Sequence, residues 1–410
     1  MKRIAYLLHR FPGITDTFIK REIRSLQAAG TDVRVISVWK PDNCFTTPNI
    51  LLEWAADTHF ALPCSTLSIG QAMAGELLRR PGRFFATLHF ALSISRPGLR
   101  GFVYQVFYFI EAVLAAQELR RSAACHVHNH IGDQSGTVTM LAARLAGIGY
   151  SITFHGWPVF FDVRDSRIKE KVMRARFTRS ISYFCRSQLM MFSGCDDPQL
   201  FKVIHCGLKL QKYQYRPPRQ KIERLFCVAR LSPEKGLIFA IEALRVLLDK
   251  GHDLELRFAG DGPSKAYLQA LVDKLRLTDR VKFVGFLTED EVIDELQNAD
   301  LFVLPSFVEG LPVSAMEALA IGVPVIATNI AGTSELIEHG RTGLLIRPSD
   351  PIALADAIVW MIADHDFRLR AAAEGRKKVE LEFDVDKETV KLNEALLQCC
   401  RLEEAVDSIN

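Results

Sequence analysis

Apolar and polar positions repeat with two different periods along the chain, which predicts strands separated by helices. Residues 3–9 form a short apolar run typical of a strand, 15–30 place apolar residues at helical spacing, and 32–39 alternate like a second strand. A strand, a helix and a strand in so short a stretch predict a βαβ unit with parallel strands. The same order recurs over 125–156, so the pattern favours an α/β fold.

A second strand-and-helix series begins near residue 223 and continues to 328. Between the two series, residues 211–223 are polar and contain two consecutive prolines, as is typical of a linker. The pattern therefore predicts two Rossmann-like, doubly wound domains, and the 410 residues of the chain are enough for two cores. The expected divisions are an N-terminal domain at 1–210, a linker at 211–223, a C-terminal domain at 224–375, and C-terminal helices at 376–410 that pack back toward the N-terminal domain.

Composition adds an asymmetry of charge to this picture. Hydrophobic residues make up 49% and charged residues 24%, which excludes wholesale disorder. The net charge is only +3, but residues 1–220 hold 29 basic and 15 acidic side chains. Such an excess indicates an anionic partner for the first half, whether nucleic acid, an anionic membrane or a phosphorylated substrate, or else a solvated basic surface. The nine cysteines include no CxxC pair, so we expect free thiols in a reducing cytoplasm.

One apolar stretch raises the question of membrane contact. The start of the chain lacks the features of a signal peptide, and no uncharged run approaches the ~18–20 residues of a membrane span, so we predict no transmembrane helix. Residues 101–116 are nevertheless strongly apolar and follow the basic, aromatic segment 77–100. The alternatives are a buried helix and an amphipathic patch that rests on a membrane interface.

The segment 306–346 has the composition of a ligand-binding strand end. A predicted strand ends before Glu309 and Gly310, at the edge where open α/β sheets bind ligands. Pro312 suits the first turn of a following helix, whose free N–H groups and positive dipole end favour a phosphate. Glu317 then falls in the second turn, where it could accept hydrogen bonds from the two neighbouring hydroxyls of a ribose.

Two further loops carry candidate phosphate-binding residues. Arg230 and Lys235 follow a predicted strand, and two cations beyond a strand edge can neutralise a diphosphate. Charge that develops on a departing diphosphate would be stabilised there in the transition state. Gly260 and Gly262 occupy a turn between a strand and a helix, where they allow a tight turn and the close approach of a nucleotide.

Histidines mark the ends of two predicted strands in the first half. His155 ends the predicted strand 150–156, while His126, His128 and His130 alternate along 125–131 and point to one side. The alternating set raises the possibility of a metal site. A buried strand that binds no metal is the interpretation we favour.

The segment 306–346 closely resembles the retaining glycosyltransferases of sequence family four, which have the GT-B fold of two Rossmann-like domains facing a cleft. Their signature pairs two glutamates in an EG-x-P-x-x-x-x-E setting, found here at Glu309, Gly310, Pro312 and Glu317. The resemblance implies that Glu317 binds the nucleotide ribose and that Glu309 contacts the donor sugar. One departure is Ala331, where many members have glycine.

The resemblance extends to both halves of the chain. It implies that Arg230 and Lys235 bind the donor diphosphate and that His155 hydrogen-bonds to the donor hexose or phosphate. The opening at 11–26 is similar to that of exopolysaccharide members, which places Gly13 near the donor phosphates and Asp16 toward the acceptor. The predicted catalytic residues are His155, Glu309, Arg230 and Lys235; the predicted donor-binding residues are Gly13, Arg230, Lys235, Gly260, Gly262, Gly310, Leu311, Pro312, Val313 and Glu317; and the predicted acceptor-binding residue is Asp16.

These features predict a retaining hexosyltransferase that takes its sugar from a UDP- or GDP-sugar and needs no metal or other cofactor. The expected acceptor is a glycan or a polyprenyl-diphosphate-linked glycan, in exopolysaccharide or surface polysaccharide biosynthesis. We expect a cytoplasmic protein, with the basic first half in peripheral contact with the inner membrane, and no nucleic-acid partner. The alternatives are a catalytically silent scaffold that binds nucleotide sugar, and a GT-B sugar-nucleotide epimerase.

Overall fold

The computed structural model describes residues 2–14, 16–42, 45–156, 160 and 163–407. The chain divides into two compact units. Unit 1 comprises Met1–His205 together with Val385–Asn410, and unit 2 comprises Cys206–Asp384. The first unit is therefore discontinuous in sequence, whereas the second is one continuous segment.

Unit 1 contains a parallel seven-stranded sheet in the order β3-β2-β1-β4-β5-β6-β7. Its strands are β1 (Arg3–Arg10), β2 (Asp32–Trp39), β3 (Thr58–Leu62), β4 (Ala124–Ile131), β5 (Gly149–Phe154), β6 (Phe177–Ser180) and β7 (Phe201–Val203). Its helices are α1 (Thr17–Ala28), α2 (Pro48–Trp54), α3 (Thr66–Arg79), α4 (Pro81–Ser93), α5 (Leu99–Arg121), α6 (Gln134–Ala146), α7 (Val163–Ser166), α8 (Ile168–Val172), α9 (Tyr183–Ser193) and α17 (Val385–Asp407).

The last helix of the chain completes the core on one face of this sheet. Apolar residues of β1, such as Ile4, and of α1, such as Ile23, form a buried cluster with Leu392 and Leu396 of α17. On the other face, α5 and α6 pack around residues of β4 and β5 in a second cluster. Since a parallel sheet needs helices on both faces, α17 is an integral layer of unit 1.

Unit 2 contains a parallel six-stranded sheet in the order β10-β9-β8-β11-β12-β13. Its strands are β8 (Arg224–Val228), β9 (Glu255–Ala259), β10 (Val281–Gly285), β11 (Leu301–Leu304), β12 (Val325–Thr328) and β13 (Leu344–Ile346). Its helices are α10 (Leu237–Asp249), α11 (Lys265–Lys274), α12 (Glu289–Asn298), α13 (Val313–Ile321), α14 (Thr333–Leu336), α15 (Pro351–Ala363) and α16 (His365–Glu382).

The polar segment expected to be a linker is part of unit 2. The Arg216 backbone N–H donates to the Ile321 carbonyl at 2.8 Å, and Arg219 is ion-paired with the buried Asp300 at 3.0 Å. These contacts attach residues 211–223 to unit 2. Polarity and prolines in this segment indicate exposure but do not reveal such bonds.

Two cysteines correct the expectation of free thiols. Cys125 in β4 and Cys400 in α17 form a disulfide, with their Cα atoms 5.3 Å apart although they are 275 positions apart in sequence. Cys64, Cys195 and Cys227 are free thiols. The pairing follows from the packing of α17 on β4, which the spacing of cysteines along the chain does not show.

Helix α5 is the one described helix that is long and apolar enough to cross a membrane by length and composition. The core helices of globular proteins also meet this criterion of length and composition. The second half of α5 lies in the core, since Ala112, Val113 and Ala116 are fully buried in unit 1. Within the apolar stretch 101–116, residues 112–116 thus belong to the buried part of the helix. Its first half differs, because several of its large apolar side chains are exposed.

Candidate functional site

The strand order of unit 2 creates a switch point between β8 and β11. Successive strands run outward from β8 to β9 and β10 on one side, and from β11 to β12 and β13 on the other. Open α/β sheets bind ligands outside the carboxyl ends of the strands at such a point. The loop after β8 carries Arg230 and Lys235, and the loop after β11 carries Glu309, so the chain folding brings these predicted residues to one edge.

An ion pair joins the two loops. The Lys235 ammonium donates to Glu309 Oε1 at 2.8 Å, and the Ser306 hydroxyl donates to the same oxygen at 2.6 Å. The Phe307 backbone N–H also donates to the Glu234 carbonyl at 2.8 Å. The lysine and glutamate side chains are only 22% and 11% exposed, so the pair is better shielded from solvent than a surface pair. Arg230, by contrast, is exposed.

The two glycines after β9 lie directly against the loop after β8. A Cβ on Gly260 would collide with the Ala229 carbonyl, and a Cβ on Gly262 would collide with the Leu231 carbonyl. Gly260 also has a φ of +130°, which L side chains rarely adopt. Both positions therefore require glycine for the close approach of the two loops, while the predicted approach of a nucleotide stays a prediction.

Helix α13 begins immediately after the second loop. Pro312 is its N-cap residue, Val313 is its first residue, and Gly322 ends it with a φ of +94°. Leu311 and Pro312 are buried, whereas Val313 is half-buried, as is Gly310 in the loop before them. The start of the helix thus lies at the switch point, where the N-terminus of a helix favours a phosphate.

Glu317 lies in the second turn of α13 and is buried. The Tyr213 hydroxyl donates to its Oε1 at 3.0 Å. Tyr213 is itself 1% exposed and comes from the segment that the sequence marked as a linker. No sequence pattern pointed to this tyrosine, and a hydroxyl that holds the carboxylate in place is a contact only the fold reveals.

Ala331 adopts a φ of +43°, in the left-handed region that favours glycine. This is the position at which many members of the resembled family have glycine. The loop after β12 therefore keeps that backbone conformation in spite of the added methyl group.

In unit 1, His155 stands at the end of a buried hydrogen-bond chain. Its Nε2 lies 2.9 Å from His130 Nδ1, and His130 Nε2 lies 2.7 Å from Glu22 Oε1. The Tyr6 hydroxyl donates to the same Glu22 oxygen at 2.8 Å, and Arg179 forms an ion pair with Oε2. These residues come from β1, α1, β4, β6 and the end of β5.

The electrostatics of this chain favour an ionised glutamate and a neutral histidine. Burial alone would raise the pKa of Glu22, but Arg179 and His130 outweigh it and hold the pKa well below its usual value. Burial lowers the pKa of His155 far below its usual value, with His130 and Arg179 adding to the effect. His130 thus bridges the ionised Glu22 and the neutral His155 through its two ring nitrogens.

The alternating histidines are thus integrated into a hydrogen-bonded core. Glu22, His128 and His130 have ligand atoms within 4.8 Å of one another, the one described cluster that could hold a metal ion. Both ring nitrogens of His128 already bond to hydroxyls, Nδ1 to Ser151 and Nε2 to Thr153. A divalent cation would also have to compete with the Arg179 guanidinium, so these residues fit a metal poorly.

Gly13 and Asp16 form a local turn ahead of α1. The Gly13 backbone N–H donates to Asp16 Oδ2 at 2.7 Å, and the Asp16 residue is 8% exposed. Burial raises the pKa of this carboxyl, while the Gly13 bond opposes that shift. The aspartate thus shapes the turn that contains Gly13, and its predicted contact with an acceptor stays a prediction.

The structure brings the unit 2 residues together, and it adds partners that the sequence did not indicate. Ser306 and Tyr213 hold the two glutamates, while Glu22, His130 and Arg179 support His155. Glu22 could not be told from a helix-surface charge in the sequence. The one feature of the sequence that could have indicated the burial of Glu22 is its position on α1, one turn after Ile19 and next to Ile23, on the side of the helix that is buried.

The chain is similar in sequence to known glycosyltransferases. Residues 214–378 match the family model described as "Glycosyl transferases group 1". The chain is 28% identical over 412 residues to the putative colanic acid biosynthesis glycosyltransferase WcaL of Salmonella typhimurium, covering 93% of this chain and 96% of that protein. It is 29% identical over 410 residues to the amylovoran biosynthesis glycosyltransferase AmsK of Erwinia amylovora, with the same coverage.

Among solved structures, Anabaena Alr3699/HepE in complex with UDP and glucose matches with a TM-score of 0.73 and 18% identity, covering 97% of this chain and all of that one. The two parallel sheets and this likeness define the fold as GT-B. The family match over residues 214–378 and the full-length relatives then show that the chain is a glycosyltransferase, as the sequence predicted.

Proposed function

We propose that the protein is a retaining hexosyltransferase that moves a hexose from a nucleoside-diphosphate sugar to a glycan or lipid-linked glycan acceptor in exopolysaccharide or surface polysaccharide biosynthesis. The observation that carries the proposal is the Lys235–Glu309 pair at the switch point of unit 2. The names of WcaL and AmsK support the pathway class. UDP is the first nucleotide to test, because HepE binds it.

Each donor-site residue has a proposed role that its surroundings allow. Glu317, oriented by Tyr213, accepts hydrogen bonds from the ribose, and the start of α13 faces the diphosphate. Lys235 and Arg230 stabilise the charge that develops on the departing diphosphate. Glu309 contacts the donor sugar, and the neutral His155 offers hydrogen bonding to the hexose or phosphate. The departing phosphate accepts the acceptor's proton, with retention at the anomeric carbon.

The donor site is tested by the thermal stability of the protein with a panel of nucleotides. A ligand at 100 times its Kd stabilises by about 2.7 kcal/mol. We expect one nucleoside diphosphate to raise Tm, and Glu317→Ala to abolish that increase. Asp279→Ala is the matched control, because Asp279 is an exposed carboxylate before β10, at the opposite edge of the same sheet. A wild type that no nucleotide stabilises at millimolar concentration contradicts the donor site.

Turnover distinguishes an enzyme from a silent scaffold that only binds the donor. We expect release of nucleoside diphosphate in the presence of acceptor, and Lys235→Ala to lower kcat by about 10²-fold or more, as for removal of a group that stabilises developing negative charge. The anomeric configuration of the product, read by NMR, tests retention. A protein that binds UDP-sugar but releases no UDP with any acceptor is a scaffold.

The proposed location is the cytoplasm, with peripheral contact at the inner membrane. The excess of basic residues in 1–220 supports this contact, because anionic lipid surfaces attract such segments.

A further inference from the structure

A cationic cavity of about 520 Å³ lies beyond the carboxyl end of β4, beside the beginnings of α5 and α6. Among the described residues, Arg96, Arg100, Arg167 and Lys171 line it, with Asp133 as the one acidic residue. These charges sum to +3. The whole lining belongs to unit 1, so the cavity is distinct from the donor site of unit 2.

Two buried donors in this cavity lack partners. Gln105 is 5% exposed, and its Nε2 has no hydrogen-bond partner among the described residues. The same holds for Nε of Arg167, whose Nη2 donates to the Ser95 carbonyl at 2.8 Å. A buried donor without a partner costs roughly 1–3 kcal/mol. Cations and unpaired donors around one cavity therefore indicate a ligand that supplies several acceptor oxygens and negative charge.

The cavity opens beside an apolar surface. Leu99, Phe102, Val103 and Phe107 of α5 are 79%, 46%, 42% and 56% exposed. Their spacing of three to four residues places them on one side of the helix, opposite the buried Gly101, where an added Cβ would collide with the Arg96 carbonyl. We name these four residues the α5 apolar face. An apolar face of this size next to a cavity of charge +3 is complementary to an amphiphilic anion.

We propose that the cavity and the α5 apolar face bind the lipid diphosphate of the acceptor, with the diphosphate in the cavity and the first part of the apolar chain along α5. The inference rests on the proposed function, because it names the acceptor class of the same transferase. A diphosphate diester has two negative charges and several acceptor oxygens, which suit the charge of +3 and the unpaired donors better than the single charge of a phosphodiester headgroup. A nucleotide would leave the apolar face unused.

The cavity is tested with farnesyl diphosphate as a soluble probe, titrated into the full chain by calorimetry. We expect saturable binding by the wild type and a Kd at least tenfold higher for Arg96→Ala/Arg100→Ala. Both arginines are exposed, so their removal leaves the core intact. Arg121→Ala is the matched control at the other end of α5, with a side chain that is 73% exposed, and it should bind like the wild type.

The apolar face is tested with Phe102→Ser/Phe107→Ser and with inorganic diphosphate. We expect this variant to bind farnesyl diphosphate at least fivefold more weakly than the wild type and to bind inorganic diphosphate with unchanged affinity. Leu402→Ser, at a half-exposed position of α17, is the control for the loss of an exposed apolar side chain. Equal affinity of the wild type for inorganic and farnesyl diphosphate would overturn the role of the apolar face.

The remaining outcomes separate this proposal from its alternatives. In one such outcome, the wild type binds phosphatidylglycerol vesicles that the Arg96→Ala/Arg100→Ala variant does not bind, while farnesyl diphosphate binds to neither protein. That combination of results would assign the surface to the membrane and overturn the proposal. UDP serves as the internal reference, since its site lies in unit 2. If UDP raises the Tm of the wild type but farnesyl diphosphate does not bind, only the proposed lipid-diphosphate site is refuted. If UDP does not raise the Tm of the wild type, the proposed function itself is refuted.

Discussion

Replacement of Glu22 by glutamine probes the chain of buried polar groups behind His155. Glutamine keeps the shape of the side chain and can still accept from Tyr6, but it has no charge to pair with Arg179. The Arg179 side chain is 2% exposed and also donates to the backbone carbonyls of Ile204 and His205. Removal of one partner of a buried ion pair costs about 3–5 kcal/mol, because the other charge stays desolvated.

The assay has to report on unit 1 alone, because a protein of two units does not unfold in one step. Trp360 is the one tryptophan outside unit 1, so a Trp360→Phe background confines tryptophan fluorescence to unit 1. Urea unfolding of Glu22→Gln in this background should show a loss of about 3–5 kcal/mol. Adding Arg179→Met removes the buried positive charge that no longer faces a carboxylate at residue 22, and it should recover more than half of that loss.

The effect should also depend on pH. The pKa of Glu22 is depressed in the fold, so its stabilising contribution is fully present above the unfolded pKa near 4.5 and is lost as pH falls through the folded value. The wild type and Glu22→Gln should therefore converge in stability as pH drops below 4.5. A loss below about 1 kcal/mol at pH 7, or no recovery in the double variant, would refute the reasoning.

Three further changes test other parts of the structure. Burial raises the pKa of Glu111 to about 7, although Trp39 donates a hydrogen bond to its carboxylate, so the free energy of unfolding falls as pH rises from 4.5 to 7. Glu111→Gln should therefore raise the free energy of unfolding by on the order of 2–3 kcal/mol at pH 8 and by little at pH 4.5. An equal increase at both pH values would contradict this reasoning. Gly262→Ala should raise the Kd for the nucleotide at least tenfold in a binding titration, because the Cβ of the alanine would collide with the Leu231 backbone. An unchanged Kd would show that the close contact of the two loops is dispensable for binding. Leu396→Ala should destabilise unit 1 by about 2–5 kcal/mol in the fluorescence assay and leave the unfolding of unit 2 unchanged.

Local patterns predicted the elements of both units and the donor-site loops. Glu309, Pro312 and Glu317 lie in one short segment, so the strand end, the loop and the helix start that position them can be read from consecutive residues. Lys235 needed one further step, the expectation that the carboxyl ends of parallel strands share an edge. That expectation is confirmed by the sheet order and by the bond to Glu309.

Residues that act through distant partners escaped the sequence. Glu22 and Arg179 are 157 positions apart, and Tyr213 and Glu317 are 104 apart, so neither pair has a local signature. Cys125 and Cys400 are more distant still. Each pairing depends on which strands and helices become neighbours, and apolar periodicity specifies that an element has a buried face without specifying what covers it.

The discontinuity of unit 1 has a consequence for synthesis on the ribosome. Domains generally fold as units during translation, with the N-terminal one first. Here the layer that covers one face of the first sheet is α17, made from the last residues of the chain. When residue 384 leaves the ribosome, all of unit 2 is available to fold, whereas β1 and α1 still lack Leu392 and Leu396. We expect the second unit to resist protease first in stalled nascent chains, and the unit that begins the protein to be the last one finished.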